Sequence, residues 1–141
     1  DSGYRLVWFC GKWYNRAMRG AETTPKPAVF LGSSQRDLRD MPARVRRRVG
    51  QALFEAQLGQ KPDSAKPMKG FHGAGVLEVV EDFDTDTYRA VYTVRFAGVL
   101  YVLHCFQKKS THGMATSAKD LAIIEQRLKE AQDHYYQRWL R

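Results

Sequence analysis

Cysteine is scarce in this chain. Its two cysteines, Cys10 and Cys105, are far apart and belong to no Cys-x-x-Cys pair, which argues against a disulfide framework or a thiolate zinc knot. The four histidines, His72, His104, His112 and His134, show no metal-ligand spacing either, so no metal or cofactor is expected. No apolar run approaches the roughly 20 residues of a membrane span. The stretch "LVWFC" is too short and too aromatic for a secretory signal core, and the expected setting is cytoplasmic. No Gly-x-Ser-x-Gly elbow occurs, and the glycines of "GFHGAG" precede a strand-like run rather than a helix. A serine hydrolase and a nucleotide-phosphate loop are therefore unsupported.

Positive charge is abundant. Lysine and arginine number 23 against 15 acidic residues, a formal charge of +8 over 141 residues. An excess of this size attracts polyanions, and nucleic acid or an acidic protein are the partners it suggests. With 43% hydrophobic and 27% charged residues, the chain is long enough to bury one core without staples.

The first 24 residues hold two of the three tryptophans without any sustained period and lack a starting methionine. They are expected to form an extension outside a single domain spanning 25–141. Flexible linkers are poor in aromatics, so part of the extension is expected to pack. After it, "AVFLG" (Ala28–Gly32) predicts a short strand. The pattern Ser34-x-x-Asp37 predicts a capped helix with Leu38 and Met41 on one side. Pro42 ends it and suits the first turn of the next helix. There Val45, Val49, Ala52, Leu53 and Ala56 recur at helical spacing up to Gly59, around Arg44, Arg46, Arg47 and Arg48.

A loop with Lys61, Lys66 and Lys69 follows. Three β-rich runs then read as an antiparallel meander: Val76–Phe83, Thr87–Phe96 and Val99–Gln107. A second capping pattern, Ser117-x-x-Asp120, opens an amphipathic helix with Leu121, Ile124, Leu128, Ala131 and Tyr135 on one side, ending near Trp139. The order β-α-α-β-β-β-α predicts an α+β domain, with a helical hairpin on one face of a mainly antiparallel sheet of about four strands. The first strand is expected inside the sheet, and the face opposite the hairpin is expected to stay partly bare.

Alternation along Thr87–Phe96 separates Tyr88, Ala90, Tyr92, Val94 and Phe96 from Arg89, Val91, Thr93 and Arg95. Arginine is costly to bury, so Arg89 and Arg95 are expected to face solvent or a ligand. A guanidinium fixed on a sheet binds two phosphate oxygens at once. Pairing with Glu78 or Glu81 explains Arg89 equally well. Lys108 and Lys109 end the last strand, and Lys66 and Lys69 precede the second. Converging on one face, these cations would grip an RNA backbone. RNA supplies its own nucleophile, the 2′-hydroxyl, so cleavage needs orientation, charge stabilisation and a proton acceptor. His112 and His104 are the histidines nearest the basic strand end. His104 reads equally well as a packed strand residue.

The segments "KPMKGFHGAGVLEV", "TYRAVYTV" and "VLYVLHCFQKKS", with the final capped helix, together resemble the phage-derived Gp49-like group of HigB toxins, within the RelE/ParE superfamily. The resemblance covers about residues 26–135. It implies the toxin of a type II toxin–antitoxin pair that enters the ribosome and cleaves mRNA without metal. Its antitoxin would be a separate protein, of helix-turn-helix type, and operator DNA would be reached only through that partner. By position, Arg89 matches the phosphate-stabilising strand arginine, Lys66 and Lys69 the loop lysines, and Lys108 and Lys109 the basic strand end. Thr116-Ser117 stands where the family has Thr-Pro, and the stretch "STHGMATSAKD" after the basic pair contains no tyrosine. His112 is then the first candidate for the general base and His104 the second. Two other readings remain open: a ParE-like inhibitor of DNA gyrase, and a degenerate member that only binds antitoxin and operator DNA.

Overall fold

The computed structural model describes residues 8–9, 12–13, 24–71, 73–108 and 115–140. Two helices and a longer terminal one pack on the two faces of a five-stranded sheet. In the N-terminal stretch, β1 (Trp8–Phe9) and β2 (Lys12–Trp13) pair antiparallel, and β1 touches α2. The main sheet runs β3 (Ala28–Phe30), β7 (Leu100–Lys108), β6 (Asp86–Thr93), β5 (Val76–Phe83), β4 (Ala65–Pro67). The three long strands form the antiparallel meander, and β3 joins β7 in parallel. The first strand is thus an edge strand and not an interior one.

A fifth strand, β4, lies within what the sequence suggests is a loop. Its composition, Ala-Lys-Pro, has little β propensity. An edge tolerates Pro67, because a proline's missing N–H need not enter the ladder. Its pairing sets Lys66 directly opposite Glu78. The β5–β6 turn is carried by Asp84 and Thr85, both at positive φ (53° and 71°), as a two-residue hairpin that matches the strand twist requires.

The hairpin α1 (Ser34–Arg39) and α2 (Ala43–Gln57) buries Leu38, Val45, Val49, Leu53 and Ala56 against Tyr88, Ala90, Tyr92, Leu100 and Val102. Ser34 does not cap α1. Its hydroxyl donates to the Val102 carbonyl inside the sheet at 3.3 Å, while Ser33 holds Asp37 at 2.7 Å. Cys105 is a free, buried thiol in this layer, pushed up to about 12 by burial and then by the Asp37 carboxylate.

The opposite face is not bare over β7. There α3 (Ala118–Tyr135) lays Leu121, Ile124, Leu128 and Ala131 on Val91, Tyr101 and Leu103. A π-helical turn, Tyr136–Leu140, continues it. The second capping pattern forms as read: the Asp120 N–H donates to Ser117 Oγ at 3.1 Å. Arg127 fastens α3 to the sheet by donating to the Leu103 carbonyl at 2.9 Å and to Ser33 Oγ at 3.4 Å. Its guanidinium lies over Gly32, whose φ is +54°.

Near the end of α3, the buried Tyr101 hydroxyl hydrogen-bonds with His134 Nδ1 at 2.7 Å, with the rings edge to face. Burial pushes Tyr101 well up, and burial followed by the Arg138 charge pushes His134 below its ordinary value. A lowered folded-state value means that the unfolded chain binds the proton more readily. His134 therefore costs stability as pH falls below about 6.5, its unfolded value.

Two outcomes follow from this packing. Gly32→Ala should destabilise the fold by about 1–2 kcal/mol in chemical denaturation, since a Cβ meets both a left-handed φ and the anchored Arg127. Melting temperature should drop between pH 7 and pH 5, and His134→Gln should flatten the part of that drop centred near the histidine.

Candidate functional site

The site begins with a row across three strands. Lys66 on β4 faces Glu78 on β5, which faces Val91 on β6; in the next row Val80 faces Arg89 and Arg89 faces Phe106. The side chains of Glu78, Val91 and Arg89 share the α3 side of the sheet, opposite Tyr88 and Ala90. Reaching diagonally, Arg89 Nη1 donates to both Glu78 oxygens at 3.3 and 3.5 Å, and to Thr116 Oγ1 at 3.4 Å. Lys66 Nζ lies 4.0 Å from Glu78 Oε2.

Arg89 is only 2% exposed and Glu78 5%. The expectation that Arg89 faces solvent is therefore corrected: it is ion-paired with Glu78, the alternative the sequence left open. Two side chains of opposite charge, diagonal on one sheet face, satisfy each other and avoid the desolvation cost of a lone buried guanidinium.

Arg89 nevertheless reaches a groove. Among the described residues α3 rests mainly on β7, and beside it, over the β4–β6 part of this face, lies a groove of about 1090 Å³. Its floor includes Val76, Glu78 and Arg89. One wall is Lys66–Gly70 with Phe71, and the other is Ala115, Thr116 and Leu121 at the start of α3. Lys66 and Lys69 are exposed on its rim. Among the described lining residues Glu78 is the sole carboxylate, so three cations border one anion. The arrangement suits a phosphodiester, which Arg89 would meet from below and the lysines from the rim.

The other sequence candidates are placed differently. Lys108 donates to the Ala115 carbonyl, tying the end of β7 to the segment before α3. Lys109 and His112 lie outside the described residues. Arg95 leaves the strand after Thr93, sits beside Phe96 with its guanidinium carbon 5.6 Å from the ring centre, and lines a separate hollow with Tyr135 and Tyr136.

His104 shares the α3 face, and a β-bulge puts it there. Opposite the Val91–Tyr92 step, β7 skips from His104 to Val102, inserting Leu103. Strict alternation from Tyr101 would turn His104 into the hairpin core with Val102. With the extra residue it stacks on Phe106 (4.6 Å) and meets α3. Its Nε2 lies 2.8 Å from Asp120 Oδ1, and Nδ1 lies 3.4 Å from Arg127 Nη1. Arginine can only donate, so Nδ1 is the acceptor and Nε2–H donates to Asp120. Both ring nitrogens are engaged, and His104 does not line the groove. This is the packed, bridging histidine rather than a base facing the groove.

Sequence reasoning passed over Glu78 as a site member and missed Thr116. The signal for Glu78 was an acid at an inward position of β5, which only a buried cation justifies.

The fold and groove define a small α+β domain with a cationic cleft at one side of its sheet. The chain belongs to the phage-derived Gp49-like family, whose model matches residues 36–129. That span contains the whole groove and runs from α1 through most of α3. Among solved structures, the chain is similar to one in the RelBE2 toxin–antitoxin complex of Mycobacterium tuberculosis, at 20% identity and a TM-score of 0.43, over 60% of this chain and 100% of that one. A comparison with curated proteins finds no significant match.

Among the described residues, removing the guanidinium leaves the buried Glu78 carboxylate with the Lys66 ammonium at 4.0 Å as its remaining ion-pair partner. Arg89→Ala should therefore lower unfolding free energy by about 3 kcal/mol in urea titration, and Arg89→Ala/Glu78→Ala should recover part of it. Two single variants that added independently would remove the pairing from this account.

Proposed function

We propose that the chain is the toxin of a type II toxin–antitoxin pair, acting as a ribosome-dependent mRNA endonuclease in the cytoplasm. The observation that carries this reading is the groove, in which Lys66, Lys69 and Arg89 border one cavity. Membership of the Gp49-like family supports it, since the residues resemble the HigB toxins of that group. The proposed partners are mRNA on the ribosome and a separate helix-turn-helix antitoxin that covers the cationic face or the terminal helix.

In this reading the scissile phosphate enters between the lysine rim and the Thr116 wall. The 2′-hydroxyl of the preceding ribose loses its proton to a base and attacks the phosphorus in line. The P–O5′ bond breaks, and the departing 5′ oxygen takes a proton from solvent, giving a 2′,3′-cyclic phosphate and a 5′-hydroxyl end. Arg89 stabilises the charge developing on the non-bridging oxygens, where a donor fixed in advance acts most strongly. Glu78 is a positioning residue: it accepts from Nη1 and sets the direction of the guanidinium. Lys66 and Lys69 bind the flanking backbone. The proton acceptor is assigned to His112, three residues before Ala115 on the groove wall, and Lys108 and Lys109 complete the basic strand end.

The exposed rim separates function from folding better than Arg89 does. Lys66→Ala/Lys69→Ala should keep the wild-type melting temperature, restore growth on induction, and reduce cleavage about a hundredfold. Mapping 5′ ends of cellular mRNA after brief induction should give cuts inside translated codons. Intact messages with induced DNA-damage signalling would replace this reading by gyrase inhibition.

A further inference from the structure

The groove accounts for only part of the positive charge. Between positions 36 and 48 the chain carries six arginines: Arg36, Arg39, Arg44, Arg46, Arg47 and Arg48. Because Val45, Val49 and Leu53 turn into the core, the arginines of α2 are left on its outer side. All except Arg46 are exposed. Arg46 instead donates to the carbonyls of Arg39 and Met41, holding the turn between the helices. Arg36 lies 3.9 Å from Asp37, and Arg48 lies 3.8 Å from Glu81. Among the described residues, Arg39, Arg44 and Arg47 form no ion pair.

This charge works against the helix that bears it. The N-terminus of α2 is the positive end of its dipole, yet its first turn has no acidic residue and its N-cap, Pro42, offers no side-chain bond. A helix tuned for its own stability places carboxylates there. Arg44 and Arg47 therefore gain nothing from the helix dipole at that end.

We propose that the outer face of the α1–α2 hairpin binds the phosphodiester backbone of a double-helical nucleic acid. This surface is separate from the groove: the hairpin covers the Tyr88–Tyr92 face of the sheet, while Arg89 and Glu78 point to the other. Guanidinium forks ranged along a rigid helix match the phosphates of a duplex. Single strands are held on exposed aromatic platforms, and the exposed positions of residues 35–51 include no aromatic. A protein partner would need an apolar centre, but the large exposed hydrophobics of the described residues, Val94 and Tyr136, are not on this hairpin. The proposal goes beyond the cleavage reading and does not require it.

The test is fluorescence anisotropy of the full chain with labelled RNA and DNA duplexes of about 20 base pairs, over a range of salt. Arg39→Gln/Arg44→Gln/Arg47→Gln should bind about tenfold more weakly or worse, lower the salt slope by roughly 2 to 3, and melt no lower than wild type. Lys66→Ala/Lys69→Ala should retain duplex binding. Equal binding of both duplexes assigns recognition to the backbone at large, and preference for RNA assigns it to A-form geometry; either supports the proposal. Unchanged affinity and slope in the arginine variant would overturn it, as would loss of duplex binding in the lysine variant alone. A non-toxic chain that still binds duplex through the arginines would sink the cleavage reading and leave this one standing.

Discussion

A buried pair of opposite charges, Arg89 with Glu78, governs this side of the molecule. Desolvating either alone would be expensive, and the pair repays that cost only with additional donors and some residual access to water. An apolar helix stripe laid over it would remove both. Accordingly Leu121, Ile124 and Leu128 of α3 sit with Val91, Tyr101 and Leu103, and the groove lies beside them at Glu78 and Arg89. The groove and the displaced helix thus have one origin. Polar residues placed where a sheet would otherwise bury hydrophobes leave a space that a polyanion can enter.

The wall of that space depends on a second set of polar contacts. The bulge at Leu103 turns His104 toward α3, where Asp120 accepts from it while also closing the Ser117 cap. Arg127, bonded to Leu103 and His104 and lying over Gly32, links the same strand to the beginning of α1. The start of α3 is therefore fixed from several directions, and Thr116, just ahead of it, is held against Arg89. His104, readable from sequence either as a candidate base or as a packed strand residue, is the packed one and positions the helix that borders the groove.

Much of the architecture was readable because hydrophobic period and turn chemistry agreed. Val45, Val49, Leu53, Ile124 and Ala131 are buried where their spacing put them, and Ser117 caps as its pattern predicts. The paired strands of the meander also follow the sequence. Ser34 misled, since a hydroxyl three residues before an acid can equally donate into a neighbouring strand. The strand β4 was invisible because its three residues owe their conformation to the partner β5, with no propensity of their own. The site was legible in part: Lys66, Lys69 and Arg89 gather as expected, while Arg95 does not join them and Lys108 is turned to the Ala115 carbonyl.

By itself the sequence determined the amphipathic faces, the alternation that sets Arg89 apart from Tyr88 and Tyr92, and the surplus of cations, because these depend on local period and composition. Only the tertiary structure decided which carboxylate Arg89 meets, which face α3 covers and how far, and where the bulge sends His104. Those outcomes depend on strand register and on contacts between residues distant in the chain. A shift of one residue in pairing reverses a side chain's face without altering the pattern that encodes it.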